Sequence, residues 1–351
     1  MRDMKKILLD LDVGIDDSAA LAYAVASPDI DLVGISATYG NVHVGQSVAN
    51  ARFLLDLLGA LDVPVEAGIS HPLGEGQYSP SDAARRIHGA DGVGNIGEKY
   101  GVPTPSKDQL DAVGPGVELI LDAARRYGRD LTIVPAGPLT NIAAAIRQDP
   151  QAMAGIGGIV MMGGALAVTG NVTKAAEANI IADPLACKEV FESGVPVTMV
   201  GLDVTMRIHL TSENIAAWRA TGARAGAYLA DMFDYYIGQH AGVPGMLGRC
   251  YAHDPSAVVC ALHPEWFQTL RLPLTCLVDG PEAGRTVCLG ERVEYSAGAT
   301  TQACVTVDAS AVERGINAVL LSAFEAWPLP ADNQPFGVRS AATQSALGTM
   351  E

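Results

Sequence analysis

The chain has 351 residues, 49% of them hydrophobic and 5% aromatic, which is ample for a well-buried core. Its formal charge of −16 and pI near 4.8 argue against nucleic acid or an anionic membrane as partner and point to a soluble cytoplasmic protein. No apolar segment is long and charge-free enough to span a bilayer, and the stretch after the basic start MRDMKK is broken by Asp10 and Asp12, so it does not read as a signal peptide.

Strand-like and helical stretches alternate along the chain. The apolar runs KKILLDLDV, DLVGISATYG, VPVEAG, LTIVPAG, GIVMMGG and PVTMVGLDV are separated by helical patterns such as DDSAALAYAVAS, VGQSVANARFLLDLLGA, GVELILDAARRYG and DPLACKEVFESG. Apolar runs without alternation, spaced by helices, predict a single α/β domain with a mostly parallel central sheet flanked by helices. In such a sheet the ligand crevice lies beyond the carboxyl ends of the strands. Residues 100–114 read as a polar loop, 211–267 as mainly helical, and 329–351 as a disordered tail behind a domain of residues 1–328. The six cysteines form no CxxC pair and lie mostly in apolar runs, so buried thiols are expected rather than zinc or disulfides. The sequon Asn171-Val172-Thr173 carries no weight without secretion.

The first run ends in DLDVGIDD, which packs four carboxylates, Asp10, Asp12, Asp16 and Asp17, into eight positions. Asp disfavours strands and is rarely buried unless it is paired or bound to a metal. Asp10 and Asp12 share one strand face, Gly14 permits a tight turn, and Asp16-Asp17 opens the next helix. Helix capping there would account for one carboxylate or two, not for four. Hard oxygen donors at this density suit calcium or magnesium rather than zinc.

ILLDLDVG resembles the opening of the magnesium-dependent haloacid-dehalogenase-type phosphatases, but their late acidic pair is not found. A fuller resemblance is to the inosine–uridine-preferring nucleoside hydrolases, whose DxDxGxDD signature is similar to DLDVGIDD. TYGN (38–41), IHGADGVG (87–94), VPAGPLTNIA (134–143), VMMGG (160–164), GNVTKAAEANIIADP (170–184) and HDPSAV (253–258) follow in the family's order, from residue 5 to about 325. A third reading, a non-catalytic ribose- or calcium-binding module on the same scaffold, is disfavoured by the intact Asp12.

Family members bind one calcium ion, which holds the ribose 2′- and 3′-hydroxyls and the attacking water, so the resemblance implies Ca2+ here. It implies Asp12, Asp17 and Asp254 as side-chain ligands and the carbonyl of Ala136 as a backbone ligand. The family often has Thr at this last position, but the main chain does the binding. Asp12 would also be the general base for the water. Asp16, turned about 100° from Asp17 around the helix axis, would grip ribose hydroxyls, with Asp10 a supporting carboxylate. Asn171, Glu177 and Asn179 correspond to residues that hold the 5′- and lower ribose hydroxyls. Asn41 would support the water or ribose, and Met162 would floor the sugar pocket.

Tyr236 and His240, four residues apart on one helix face, together with His88, are implied to meet the base, and His253 to protonate it as it leaves. Taken singly, these residues have ordinary explanations: Asn and Glu in a Gly-rich stretch satisfy turns, Asp254 before Pro255 caps a helix, and a lone His is structural. Their joint order with the acidic cluster lifts them. Val13, Ala178 and His240 replace residues common in the family (Pro, Phe and Tyr), and Trp218, Trp266 and Trp327 fall at no site motif. The resemblance therefore implies a homodimer or homotetramer that hydrolyses the N-glycosidic bond of ribonucleosides to base and ribose, with the preferred base left open.

Overall fold

In the computed structural model, which describes residues 4–289 and 298–326, the six apolar runs become strands. They are β1 (Lys5–Leu11), β2 (Ile30–Ala37), β3 (Val65–Ala67), β4 (Leu131–Pro135), β5 (Gly158–Met162) and β6 (Val197–Val200). Further strands follow as β7 (His209–Thr211), β8 (Arg249–Tyr251), β9 (Phe267–Arg271), β10 (Leu274–Cys276), β11 (Thr286–Cys288) and β12 (Thr301–Val307). Among the described residues the main sheet has the order β3-β2-β1-β4-β5-β6-β12-β9. All its neighbours are parallel except the β12–β9 edge pair. The α/β reading holds, with one antiparallel edge strand added.

β1 is central because it is buried on both faces. Ile7, Leu9 and Leu11 pack with Leu21, Phe233, Val258 and Phe324, while Leu8 packs on the opposite side with Ile120, Ile142 and Val190. Burying each such side chain contributes about 1.5–3 kcal/mol, which is why an unbroken apolar run is needed there. β1 lies between β2 and β4, so the chain leaves it to one side and later returns to the other. That reversal opens a crevice at the carboxyl end of β1, where the acidic motif lies.

Two local details are added. The segment 211–267 is mainly helical as expected, and it also carries β8, which pairs antiparallel with β7 and places Tyr251 opposite His209, a long-range pairing that no local period reveals. The loop 100–114 contains the single turn Lys107–Leu110. Cys187, Cys250, Cys260, Cys276 and Cys304 are buried free thiols, and Cys288 is half-buried. No helix among the described residues is long and apolar enough to cross a membrane. Trp327 and the tail 329–351 lie outside the described residues.

Candidate active site

β1 stops at Leu11, so Asp12 begins a tight loop that ends at the helix Ile15–Ala26. Asp10 and Asp12 therefore serve different partners. Asp10 is fully buried, and its Oδ1 accepts from Asn141 Nδ2 at 2.8 Å. Asp12 Oδ2 accepts from the backbone N–H of Asn41 at 2.7 Å, and its Oδ1 from Asn41 Nδ2 at 3.1 Å. The same amide group lies 3.2 Å from Asp17 Oδ2, so Asn41 bridges the two carboxylates. Asp17 Oδ2 also accepts from Gly14 N–H at 2.8 Å, which is the one helix-cap bond the cluster makes.

Two glycines are required by this packing. A Cβ on Gly14 would stand 2.6 Å from both Asn41 Nδ2 and His88 Nδ1. One on Gly40, where φ is +154°, would collide with Asp12 Oδ2.

Asp254 arrives from the far end of the sequence, in the first turn of the helix His253–Leu262. The helix begins at His253 with Ala252 as its cap residue, so Asp254 is not the cap. Carboxylate oxygens of Asp16, Asp17 and Asp254 lie within 4.8 Å of one another, and all three residues are buried. Asp12 stands outside that trio and is tied to it through Asn41.

The electrostatics are those of crowded, desolvated acids. Burial, then repulsion from Asp17, pushes Asp16 up to about 7. Burial lifts Asp17 to about 6, against hydrogen bonds from its neighbours. Burial and then neighbouring carboxylates push Asp12 and Asp254 well above the ordinary range. Among the described residues Asp16 Oδ1 and Asp17 Oδ1 are buried without a hydrogen-bond partner. The unpartnered Asp17 oxygen among like charges fits a hard divalent cation, which would satisfy it and supply the missing positive charge, while the Asp16 oxygen is left to accept from a hydroxyl.

A second wall comes from the ends of β4 and β5. Asn179 Nδ2 lies 3.1 Å from the Ala136 carbonyl oxygen and 3.2 Å from that of Met162. Met162 is buried. Glu177 Oε2 accepts from the backbone N–H groups of Gly164, Asn179 and Ile180, capping the helix Ala178–Ala182, and burial still pushes its carboxyl up to about 7. Asn171 lies outside this buried set. It is exposed, and its Oδ1 accepts from Ala178 N–H at 3.0 Å.

A third wall is aromatic. His88 Nδ1 accepts from Ile15 N–H at 3.2 Å, so the ring's own N–H is on Nε2. Its ring lies 5.5 Å from that of Tyr236, which in turn lies 4.5 Å from His240, and the Tyr236 hydroxyl reaches Asp16 Oδ2 at 3.4 Å. Tyr251, which the motif reading did not single out, packs 5.5 Å from His240 and 5.3 Å from His253. Burial drives His88 and His253 down to about 3, and lowers His240 as well, so all three rings are neutral near pH 7.

A model of the inosine-uridine preferring nucleoside hydrolase family matches residues 7–314. The chain belongs to this nucleoside hydrolase family. It is 34% identical over 317 residues to a probable uridine nucleosidase 2 of Arabidopsis thaliana, covering 88% of this chain and 95% of that one. It is 33% identical over 305 residues to an inosine-uridine preferring nucleoside hydrolase of Leishmania major, covering 87% and 93%. The solved purine-preferring ribonucleoside hydrolase of Gardnerella vaginalis superposes with a TM-score of 0.82 at 40% identity, covering 92% and 99%. The chain is thus an N-ribosyl hydrolase, and its nucleoside hydrolase fold implies a metal ion for which the carboxylate site is present.

Other residues of this nucleoside hydrolase hold the site without lining it. Asn141 donates to Asp10 and to Ser36 Oγ, and its Oδ1 accepts from Ile69 N–H, so one side chain joins β1, β2 and the loop after β3. Asn50, also buried, donates to the carbonyls of Val13 and Asp91 and so links the Asp12 loop to the His88 loop. Thr140 Oγ1 donates to Asp183 Oδ2 at 2.7 Å. Asn141 and Asp183 lie inside quoted motifs; the available signal was a polar residue in an otherwise apolar stretch.

Proposed function

We propose that this chain is a calcium-dependent ribonucleoside hydrolase that releases free base and ribose. The observation that carries the reading is the buried Asp16–Asp17–Asp254 group with its unpartnered oxygens, set beside Asp12. Asp12, Asp17, Asp254 and the Ala136 carbonyl would hold the cation. When bound, it supplies the positive charge that lowers these carboxyl pKa values, anchors sugar hydroxyls and acidifies water.

Asp12, oriented by Asn41, takes a proton from the attacking water. Asp16, Glu177, Asn179 and Asn171 hold the ribose over Met162. The carboxylates among them also stabilise the positive charge that develops on the sugar as the bond breaks, in place and without reorganisation. His88, Tyr236 and His240 flank the base. His253 donates a hydrogen bond to the departing base nitrogen, as a neutral ring would at pH 7. The mixed aromatic and imidazole wall suits purine and pyrimidine bases alike, as do the names of the relatives above. Residues 1–328 as one catalytic domain and a cytoplasmic location belong to the same reading and rest on the chain's patterning and charge, and a homodimer or homotetramer rests on the family resemblance.

The test is reducing-sugar release from inosine, uridine, cytidine, adenosine, guanosine and xanthosine, with calcium present or chelated. Calcium-dependent release is expected and ranks the bases. Absence of release from every nucleoside would overturn the reading and move the search to modified nucleosides and phosphomonoesters.

A further inference from the structure

His253 has a partner that the family motif does not mention. Its Nδ1 lies 2.8 Å from Thr205 Oγ1. Thr205 closes the one-turn helix Leu202–Thr205 after β6 and is fully buried. That turn is itself pinned, because Asp203 accepts from the backbone N–H groups of Leu166 and Ala167, both at 2.8 Å.

The contact has two possible proton arrangements. A hydroxyl carries one proton, and a neutral imidazole carries one N–H and one bare nitrogen. If Nδ1–H donated to Thr205, the hydroxyl proton would need a second acceptor. Among the described residues Thr205 Oγ1 makes no other hydrogen bond. Leaving that proton unpaired in a buried position costs about 1–3 kcal/mol. If Thr205 donates to a bare Nδ1 instead, the buried hydroxyl proton is paired, and the one N–H left without a partner among the described residues belongs to the half-buried ring of His253. That arrangement puts the His253 N–H on Nε2, at the opposite corner of the ring, while Tyr251 packs beside the ring at 5.3 Å.

We propose that Thr205 is a positioning residue that holds His253 in its Nε2–H form and aims that N–H at the leaving base. The base as recipient rests on the function proposed above; the Thr205–His253 hydrogen bond does not.

The test pairs spectroscopy with kinetics on the calcium-loaded full chain. In 15N-histidine-labelled protein, the long-range spectrum of His253, assigned by its disappearance in His253→Gln, should show a protonated Nε2 and a bare Nδ1. In Thr205→Val, which keeps the shape and removes the proton, kcat on inosine or uridine should fall about 10-fold or more with KM changed less than about 3-fold. With p-nitrophenyl β-D-ribofuranoside, whose leaving group departs as a stable anion without a proton, the loss should stay under about 3-fold. Thr205→Ser, which returns the hydroxyl, should recover most of the nucleoside rate.

A wild-type His253 protonated on Nδ1 would overturn the proposal. So would equal losses on both substrates, or a Ser variant as slow as the Val variant. If the wild type hydrolyses no nucleoside, the proposed function fails, and the spectra alone decide whether Thr205 sets the ring.

Discussion

Asp10 offers a test in which a single buried proton changes sign between acid and alkaline solution. Burial lifts its carboxyl from an ordinary 3.8 to about 7, although hydrogen bonds involving Asn141 and Ser36 pull the other way. The folded protein therefore keeps a proton that the unfolded chain releases near pH 4. The resulting stabilisation is complete below pH 4 and is lost as the pH rises through 7. The interval from 3.8 to about 7, at about 1.4 kcal/mol per pH unit, comes to about 4 kcal/mol as an upper figure.

Asp10→Asn removes the ionisable group and keeps its shape. It also places an amide with two N–H donors where the protonated acid has one O–H, at Oδ2, an atom with no hydrogen-bond partner among the described residues, at a cost of about 1–3 kcal/mol. About 1 kcal/mol of the stabilisation is already lost at pH 4.5, so the variant should be less stable than the wild type there by up to about 2 kcal/mol and more stable at pH 8.5 by about 1–3 kcal/mol. Thermal midpoints of both proteins, measured in chelator at the two pH values, give the difference free of the other titrating acids. A difference of one sign at both pH values, or one that moves against the variant as pH rises, would refute the reasoning.

Three further outcomes follow from the same geometry. Asn41→Ala removes the bridge between Asp12 and Asp17 and should weaken calcium binding about 10- to 100-fold by titration calorimetry; an unchanged affinity would show that the bridge does not orient the ligands. Gly40→Ala must displace Asp12, so activity should fall more than about 100-fold with a stability loss of about 1–3 kcal/mol in thermal melts, whereas near-normal turnover would contradict the packing. Asp16 at about 7 and Asp17 at about 6 hold protons in the metal-free protein, so its stability should decline from pH 4 to 7 while calcium binding strengthens. The midpoint gap between calcium-loaded and chelated protein should therefore widen as pH rises. A constant or narrowing gap would refute that account.

The sequence carried the sheet's first six strands because each is a short unbroken apolar run, which burial on both faces demands. It also carried the site's chemistry. Asp12, Asp16 and Asp17 stand together in one motif, and Asp254 and His253 in another, and the fold brings these two distant motifs to the same end of the sheet. Length of run and residue type are local properties, and both were legible.

What the tertiary structure alone decided are the partnerships between segments far apart in the chain. β12 inserts beside β6 with β9 as its antiparallel edge, and β7 finds β8, although none of these short strands announces a register. Asp10 and Asp12 share a strand face in sequence yet part company, because β1 ends between them and Asn141 takes one while Asn41 takes the other. Asn50 and Thr205 read as ordinary polar residues until the Asp12 loop and His253 are folded onto them. Hydrogen-bond partners are set by distance in space, and a one-dimensional pattern encodes them only where the fold makes neighbours of residues already close in the chain.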